Sequence, residues 1–323
     1  MIQNKKIFIT GGGGFIGTSL TERLVDSNQI TLYDIDFENN AYSFSKLAGH
    51  PNVRLIKADA MDYDKLKESI DSPDIVIHLM AIVGVHNVIQ NAIKTIECNF
   101  QGTSRLLEVV SGKRPERFIY LSTSEVYGVS AYNVADNADS TFGSIDESRW
   151  SYAISKIAGE HLVQAYHRET GLPTVIIRPF NIFGPKRIGD HAILRFLYWA
   201  LQNKPVIVHG TGEAIRSWCY IDDFCDAMVS CLEKPDAVGK SFNIGNPRNT
   251  LTMYELAKRI IQLCNSKSTI EFQPIDYSDI NIRVPNTLLA HQLLDYTPKI
   301  EIEDGILSSK DWFEKNSSKI TIA

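Results

Sequence analysis

Tyr152 and Lys156 stand four residues apart in Tyr152-Ala153-Ile154-Ser155-Lys156, a spacing that places both on one face of a helix. A free phenol has a pKa of about 10 and is a poor base at neutral pH. An ammonium held beside it favours the phenolate and lowers that value. The pair can therefore act as a positioned base that takes the proton of a sugar or alcohol hydroxyl. The same spacing also suits an ordinary solvated helix face, so the rest of the chain has to decide.

A second set of residues is built for a cofactor. Gly11, Gly14 and Gly17 space the run Thr10-Gly11-Gly12-Gly13-Gly14-Phe15-Ile16-Gly17, which follows an apolar strand pattern and opens a helix. Such glycines allow a tight turn, let the backbone approach a pyrophosphate, and let the helix pack on the sheet. The free N–H groups at the helix start, around Phe15 and Ile16, then face the phosphates. Asp34 ends the next strand pattern, seventeen residues beyond Gly17. A carboxylate there can accept hydrogen bonds from ribose hydroxyls and repels a 2′-phosphate, which favours NAD over NADP. Asp36 competes for that role. Asp59, with Ala60 beside it, follows the third strand where an adenine edge can be read.

These groups need a scaffold. Strand patterns at 6–10, 30–34, 53–57, 75–79, 117–121 and 174–178 alternate with helical stretches, one of them a long pattern near 91–110. Short apolar strands with helical connectors predict an α/β chain, a doubly wound parallel sheet of Rossmann type covered on both faces. Residues 1–178 read as the NAD-binding domain. Residues 179–323 read as a smaller, partly interleaved α/β lobe for substrate, with a helix over 192–202 and a short strand over 205–208. The segment 128–149, rich in Ser, Asn, Asp and Ala, reads as a surface loop between two candidate catalytic segments.

Composition narrows the function classes. The 323 residues are 44% hydrophobic and 22% charged, with a net charge of −5 and a pI near 5.9. That balance argues against nucleic acid as the main ligand. The five cysteines form no C-x-x-C pair, and Cys225 and Cys231 fall in an apolar helical stretch as buried thiols. The eight histidines are scattered and suggest no metal site. Neither a signal region nor a membrane-length apolar run is visible, so the expectation is a soluble cytoplasmic protein.

Thr123, Ser124 and Glu125 follow the fifth strand in Leu121-Ser122-Thr123-Ser124-Glu125-Val126-Tyr127-Gly128. With them, the ordered segments TGGGGFIG, STSEVYG, YAISK, RPFNIFGP, RSWCYIDD and RVPN make nearly the whole chain resemble the extended short-chain dehydrogenase/reductases, the NAD-dependent nucleotide-sugar epimerases and dehydratases. The resemblance implies that Tyr152 is the base and that Lys156 binds the nicotinamide ribose. It implies that Thr123 bonds the oxygen on sugar carbon 4. Leu79 and Ala81 would lie along the cofactor, and Asn99 would support the central helix. Asn181 would contact the substrate phosphates, with Arg216 and Arg283 as guanidinium clamps on the diphosphate. His209 and Trp218 take no task. A homodimer built on two helices per subunit is also implied, one of them carrying Tyr152. Pro285-Asn286, Leu294-Asp295-Tyr296 and Gly13 depart from the usual family residues outside the catalytic set.

The shared first step is removal of the carbon-4 hydroxyl proton with hydride passing to NAD, giving a 4-ketone. A plain 4-epimerase needs no further acid or base. Ser124 and Glu125 can supply both, which points first to a nucleotide-sugar 4,6-dehydratase. Arg149-Trp150-Ser151-Tyr152 instead has the character of the UDP-glucuronate decarboxylases, which additionally need a cation aimed at a carboxylate, one that Arg216 or Arg283 could supply. A non-catalytic dinucleotide sensor is the remote reading, since such proteins tend to lose the Tyr or the Lys.

Overall fold

The computed structural model describes residues 2–320 except 190, 276 and 278. The central sheet uses strands β1 (Lys6–Thr10), β2 (Gln29–Asp34), β3 (Val53–Lys57), β4 (Ile75–His78) and β5 (Arg117–Leu121) from the first half of the chain. Two later strands complete it after β6 (Ser130–Val134): β7 (Thr174–Pro179) and, further on, β12 (Ser241–Ile244). All seven are parallel in the order β12-β7-β5-β4-β1-β2-β3. The predicted doubly wound sheet is therefore present.

Period-2 alternation sends strand side chains to both faces. Ile7, Ile9, Ile75, Ile77, Ile119, Val175 and Ile177 join one core with α1 (Phe15–Leu24) and α8 (Ile221–Glu233). Phe8, Val76, Phe118, Tyr120 and Ile176 join the other with α2 (Tyr63–Ser69), α5 (Gly102–Ser111) and α6 (Ser151–Thr170). Chain order reverses between β1 and β4. A crevice outside the strand C-termini is therefore expected there, between the glycine loop and the segment after His78.

The remaining pieces cap that crevice. Strands β8 (Ile182–Phe183) and β11 (Cys219–Tyr220) pair with each other, as do β9 (Val206–His209) and β14 (Ile270–Gln273). A four-stranded sheet runs β13 (Thr250–Thr252), β10 (Ile215–Ser217), β15 (Ile282–Pro285), β6. Helices α7 (Ala192–Leu201) and α9 (Met253–Leu263) pack together. A capping box in which Thr252 and Glu255 satisfy each other's backbone N–H groups starts α9. Helices α10 (Leu288–Leu294) and α11 (Ile302–Asn316) close the chain.

Two local expectations change. The segment 128–149 is not only loop: β6 pairs in parallel with β15, because Ala131 is buried and packs with Val126, Tyr127 and Phe180. Tertiary pairing overrides the polar composition there. The long helix near 91–110 follows α3 (Val85–Gln90) and is broken into α4 (Ala92–Ile96), a π-helical turn (Glu97–Gln101) and α5. Wide turns of this kind concentrate at functional sites, and this one carries Asn99.

Candidate active site

Strand β5 ends at Leu121, and the backbone turns at once into a tight helical turn over Ser124–Tyr127. Thr123 caps that turn, its hydroxyl accepting from the Glu125 N–H at 3.2 Å. Helix α6 runs past this turn and brings Tyr152 and Lys156 to it on one face, as their spacing predicts. Thr123, Ser124, Glu125 and Tyr152 line a cleft of about 390 Å³ with Asn181, Arg216 and Arg283.

The electrostatics of the pair differ from expectation. Lys156 is buried, and its Nζ donates to the Leu121 carbonyl oxygen at 2.8 Å. Burial lowers its pKa to about 7. The Tyr152 phenol is pushed above its ordinary value, by desolvation first and then by the charge of Glu125. A hydrogen bond with Thr123 and the Arg283 and Arg187 charges pull the other way without overcoming this. The downward pull of Lys156 expected from the sequence does not govern the phenol here, because the ammonium is directed at Leu121 and is itself desolvated.

The glycine loop meets the demands of a pyrophosphate site. Gly11 has φ +70°, and a Cβ there would lie 2.7 Å from the Met80 nitrogen. A Cβ at Gly17 would lie 2.8 Å from the Gly11 oxygen, so the helix start can sit against the loop only with glycine. No side chain caps α1 at Gly14, and no acidic residue stands in its first turn, so the N–H groups of Phe15 and Ile16 face outward for an anion. Asp34 accepts the Gly13 N–H at 2.9 Å, and burial raises its pKa against the pull of its backbone donors. Asp36 is engaged elsewhere: its carboxylate accepts from the Glu38 and Asn39 N–H groups, which hold its pKa low.

The other expected cofactor residues follow β3 and β4 or lie on the π-helical turn. Asp59 is exposed and fixes its own turn through the Met61 N–H, while Ala60 beside it is buried. Leu79 and Ala81 follow β4, with the Leu79 N–H bonded to Thr10. Asn99 is buried: its Oδ1 accepts from the Ile82 N–H at 2.8 Å and its Nδ2 donates to Ser155 Oγ at 3.1 Å. It thus ties the segment after β4 to α6.

The substrate side carries a charge cluster that the sequence showed only in part. Arg216 on β10 and Arg283 on β15 are register partners. Arg149, just before α6, reaches Glu125 at 3.2 Å and Asp279 at 3.5 Å. Arg283 lies 3.5 Å from Glu125, and Arg216 lies 3.2 Å from Asp279. Burial opposes the charge on Glu125, but Arg283 and Arg149 outweigh it and hold the carboxyl below its ordinary range. Burial, with Arg283 nearby, lowers Arg216 to about 10. Three guanidiniums face two carboxylates, and the cluster is net cationic. Asn181, held at φ +43° with its Nδ2 on the Ser217 oxygen at 2.8 Å, lines the same cleft.

Arg149 had a signal in the sequence, its place three residues before Tyr152. Asp279 had none. His209 and Trp218, left without a task, both line the cleft, Trp218 packed edge-on against His191. Cys225 and Cys231 are buried, as expected. Among the described residues no group of His, Cys, Asp and Glu is arranged to hold a metal, and no helix is long and apolar enough to cross a membrane.

Residues 7–245 match the NAD dependent epimerase/dehydratase family. The chain belongs to that family. It is 33% identical to the UDP-N-acetyl-alpha-D-glucosaminuronate decarboxylase of Bacillus cytotoxicus, over 97% of this chain and 99% of that protein. It is 35% identical to the dTDP-D-glucose 4,6-dehydratase of Dictyostelium discoideum, over 80% of this chain and 62% of that one. The UDP-glucuronic acid 4-epimerase of Bacillus cereus, solved with UDP-glucuronic acid and NAD, superposes with a TM-score of 0.89 at 26% identity, over 96% and 99% of the two chains. This epimerase/dehydratase family member is thus an NAD-dependent enzyme, and its relatives include decarboxylases, dehydratases and epimerases of nucleotide sugars.

Proposed function

We propose that this enzyme decarboxylates a nucleotide-diphosphate uronate through a 4-keto intermediate. The observation that carries this reading is the buried Arg149 guanidinium in the cleft, 3.2 Å from Glu125 and three residues before Tyr152. It supplies the cation that decarboxylation requires, a task for which the sequence offered Arg216 or Arg283 instead. The same contact weakens the case for elimination. Glu125, held ionised between Arg149 and Arg283, is a poor acceptor for a carbon-5 proton. Ser124 offers only a hydroxyl as the acid.

The residues divide the work as follows. NAD, when bound, would supply the acceptor and then the donor of the carbon-4 hydride. Gly11, Gly14, Gly17 and the open start of α1 would hold its pyrophosphate, with Asp34 at the adenosine ribose and Lys156 at the other. The phenolate fraction of Tyr152, small in the enzyme without its ligands, removes the carbon-4 hydroxyl proton, with Thr123 on the same oxygen. The ketone then stands β to the carbon-6 carboxylate, which Arg149 and its neighbours orient. Loss of carbon dioxide leaves an enolate whose oxygen faces the Tyr152 and Thr123 hydroxyls, preorganised donors where charge develops. Carbon 5 then takes a proton from water. Asn181, Arg216 and Arg283 serve the diphosphate end.

The 4,6-dehydratase remains the second reading, supported by Glu125 beside Thr123 and by the Dictyostelium relative. A panel of nucleotide sugars and their uronates, incubated in heavy water with NAD and followed by NMR, separates the readings. Carbon dioxide with one deuterium at carbon 5 supports the decarboxylase. Loss of water from a neutral hexose points to the dehydratase, and inversion at carbon 4 without label to the epimerase. We further propose that the enzyme acts as a homodimer through the face of α4, the π-helical turn and α6. Ile93, Ile96, Phe100 and Ile154 are exposed there.

A further inference from the structure

Lys156 presents a problem that its assigned role does not solve. It is an ammonium at 2% exposure, and among the described residues it makes no ion pair. A buried charge without a counter-charge reverts toward its neutral form. Cys98 and Glu160 pull its pKa back up without overcoming burial, and neither bonds to the amine. From β4, His78 is held neutral by burial, its pKa lowered to about 3, between Thr10 at 2.6 Å and Thr103 at 2.9 Å. From the π-helical turn, the thiol of Cys98 is raised by burial and stays protonated. From α6 itself, Glu160 is committed to Arg178 through two bonds of 2.8 and 2.6 Å, and Tyr152 is a neutral phenol.

What remains is β5. The Leu121 carbonyl takes one ammonium proton, and the Nζ stands 4.9 Å from the centroid of the Tyr120 ring. An aromatic face carries negative potential, and its attraction for a cation grows when water is excluded. Tyr120 is fully buried, and its hydroxyl donates to the Lys156 carbonyl at 3.3 Å. A Cβ at Gly159 would come within 2.2 Å of that hydroxyl, so the glycine on α6 makes the slot that admits the ring.

We propose that Tyr120 is a positioning residue, whose ring face, with the Leu121 carbonyl, keeps Lys156 charged and fixed at the end of β5. The ring does the electrostatic work, and the hydroxyl only fixes its orientation. This assignment concerns Lys156 in the protein itself and stands whichever sugar reaction follows.

The test is the titration of the Lys156 amine in the full chain labelled with 15N-lysine, followed by NMR. The resonance that disappears in Lys156→Met gives the assignment. Tyr120→Leu should lower the midpoint by about one pH unit, a tenfold change in the protonation equilibrium. Tyr120→Phe should stay close to wild type. Fluorinated phenylalanines at position 120 keep the shape, so they report even where the leucine variant does not fold. The midpoint should fall stepwise as fluorines weaken the ring face. A midpoint indifferent to fluorination, or one that moves as far in Tyr120→Phe as in Tyr120→Leu, overturns the proposal.

Discussion

The Arg149 Nη1 lies 3.2 Å from Glu125 Oε2, which places a buried guanidinium beside the turn that carries Thr123. The contact divides Glu125 between two arginines, since Arg283 approaches its other oxygen at 3.5 Å. Arg149→Met removes one charge from a buried network and leaves Glu125 paired with Arg283 and Asp279 with Arg216. The remaining charges balance, so the stability cost should stay below about 3–5 kcal/mol, the cost of stranding a buried charge. Carbon dioxide release from a nucleotide uronate should fall by roughly 10²–10³-fold, the effect of removing one preorganised donor. NAD affinity, measured by titration calorimetry, should hold. A variant that still decarboxylates at the wild-type rate would end the assignment of Arg149 to the carboxylate.

Glu125 makes a pH prediction. Its folded-state pKa is depressed by Arg283 and Arg149 relative to the unfolded chain, where a glutamate titrates near about 4.3. A depressed carboxyl adds stability that is fully present above the unfolded value and is lost as pH falls through the folded one. Wild type should therefore lose unfolding free energy below about pH 4. Glu125→Gln, less stable at neutral pH, should show a flatter acid limb. Urea unfolding across pH 3–7 checks this, and parallel limbs for the two proteins would contradict it.

Tyr152 is the proposed base, and Tyr152→Phe deletes the only atom that can take the carbon-4 proton in that scheme. Turnover should drop by roughly 10²–10⁴-fold, the range for a lost general base. NAD binding should persist, because the glycine loop and Asp34 are untouched. Full activity in the phenylalanine variant would remove Tyr152 from the chemistry.

Much of this site can be read from the sequence because its parts are local. The apolar runs of β1 to β5, the glycine spacing and the Tyr152–Lys156 interval each report on one element. What is not local is not legible. Asp279 reaches Arg149 and Arg216 from a segment 130 and 63 positions away, and nothing in its neighbourhood marks it. The strand β6 forms only because β15 supplies a partner across the fold. The upward shift of the Tyr152 phenol likewise depends on burial, which residue spacing does not report. Spacing alone suggests the opposite sign.

Asp34 should set cofactor choice. Its carboxylate already accepts the Gly13 N–H, and so it organises the loop in addition to its proposed role at the ribose. Asp34→Ala removes both effects. NAD affinity should fall about 10–100-fold, the worth of one or two hydrogen bonds to a charged group. Discrimination against NADP should narrow, because the repulsion of the 2′-phosphate goes with the carboxylate. Titration of both dinucleotides by fluorescence quenching gives the ratio. An unchanged preference would mean that another group reads the ribose.

The homodimer proposal rests on apolar surface with a defined location. Ile93 on α4 is 77% exposed, with Ile96, Phe100 and Ile154 on the same stretch of α4, the π-helical turn and α6. Separate exposed apolar side chains are ordinary, but a contiguous set on two packed helices suits a self-complementary interface. A charge at its centre should oppose association by desolvation of the introduced carboxylate. Ile93→Glu is therefore expected to sediment as a monomer where wild type sediments as a dimer. Its fold should be retained, since position 93 lies outside the two buried cores. A wild-type chain that sediments as a monomer at micromolar concentration would refute the interface.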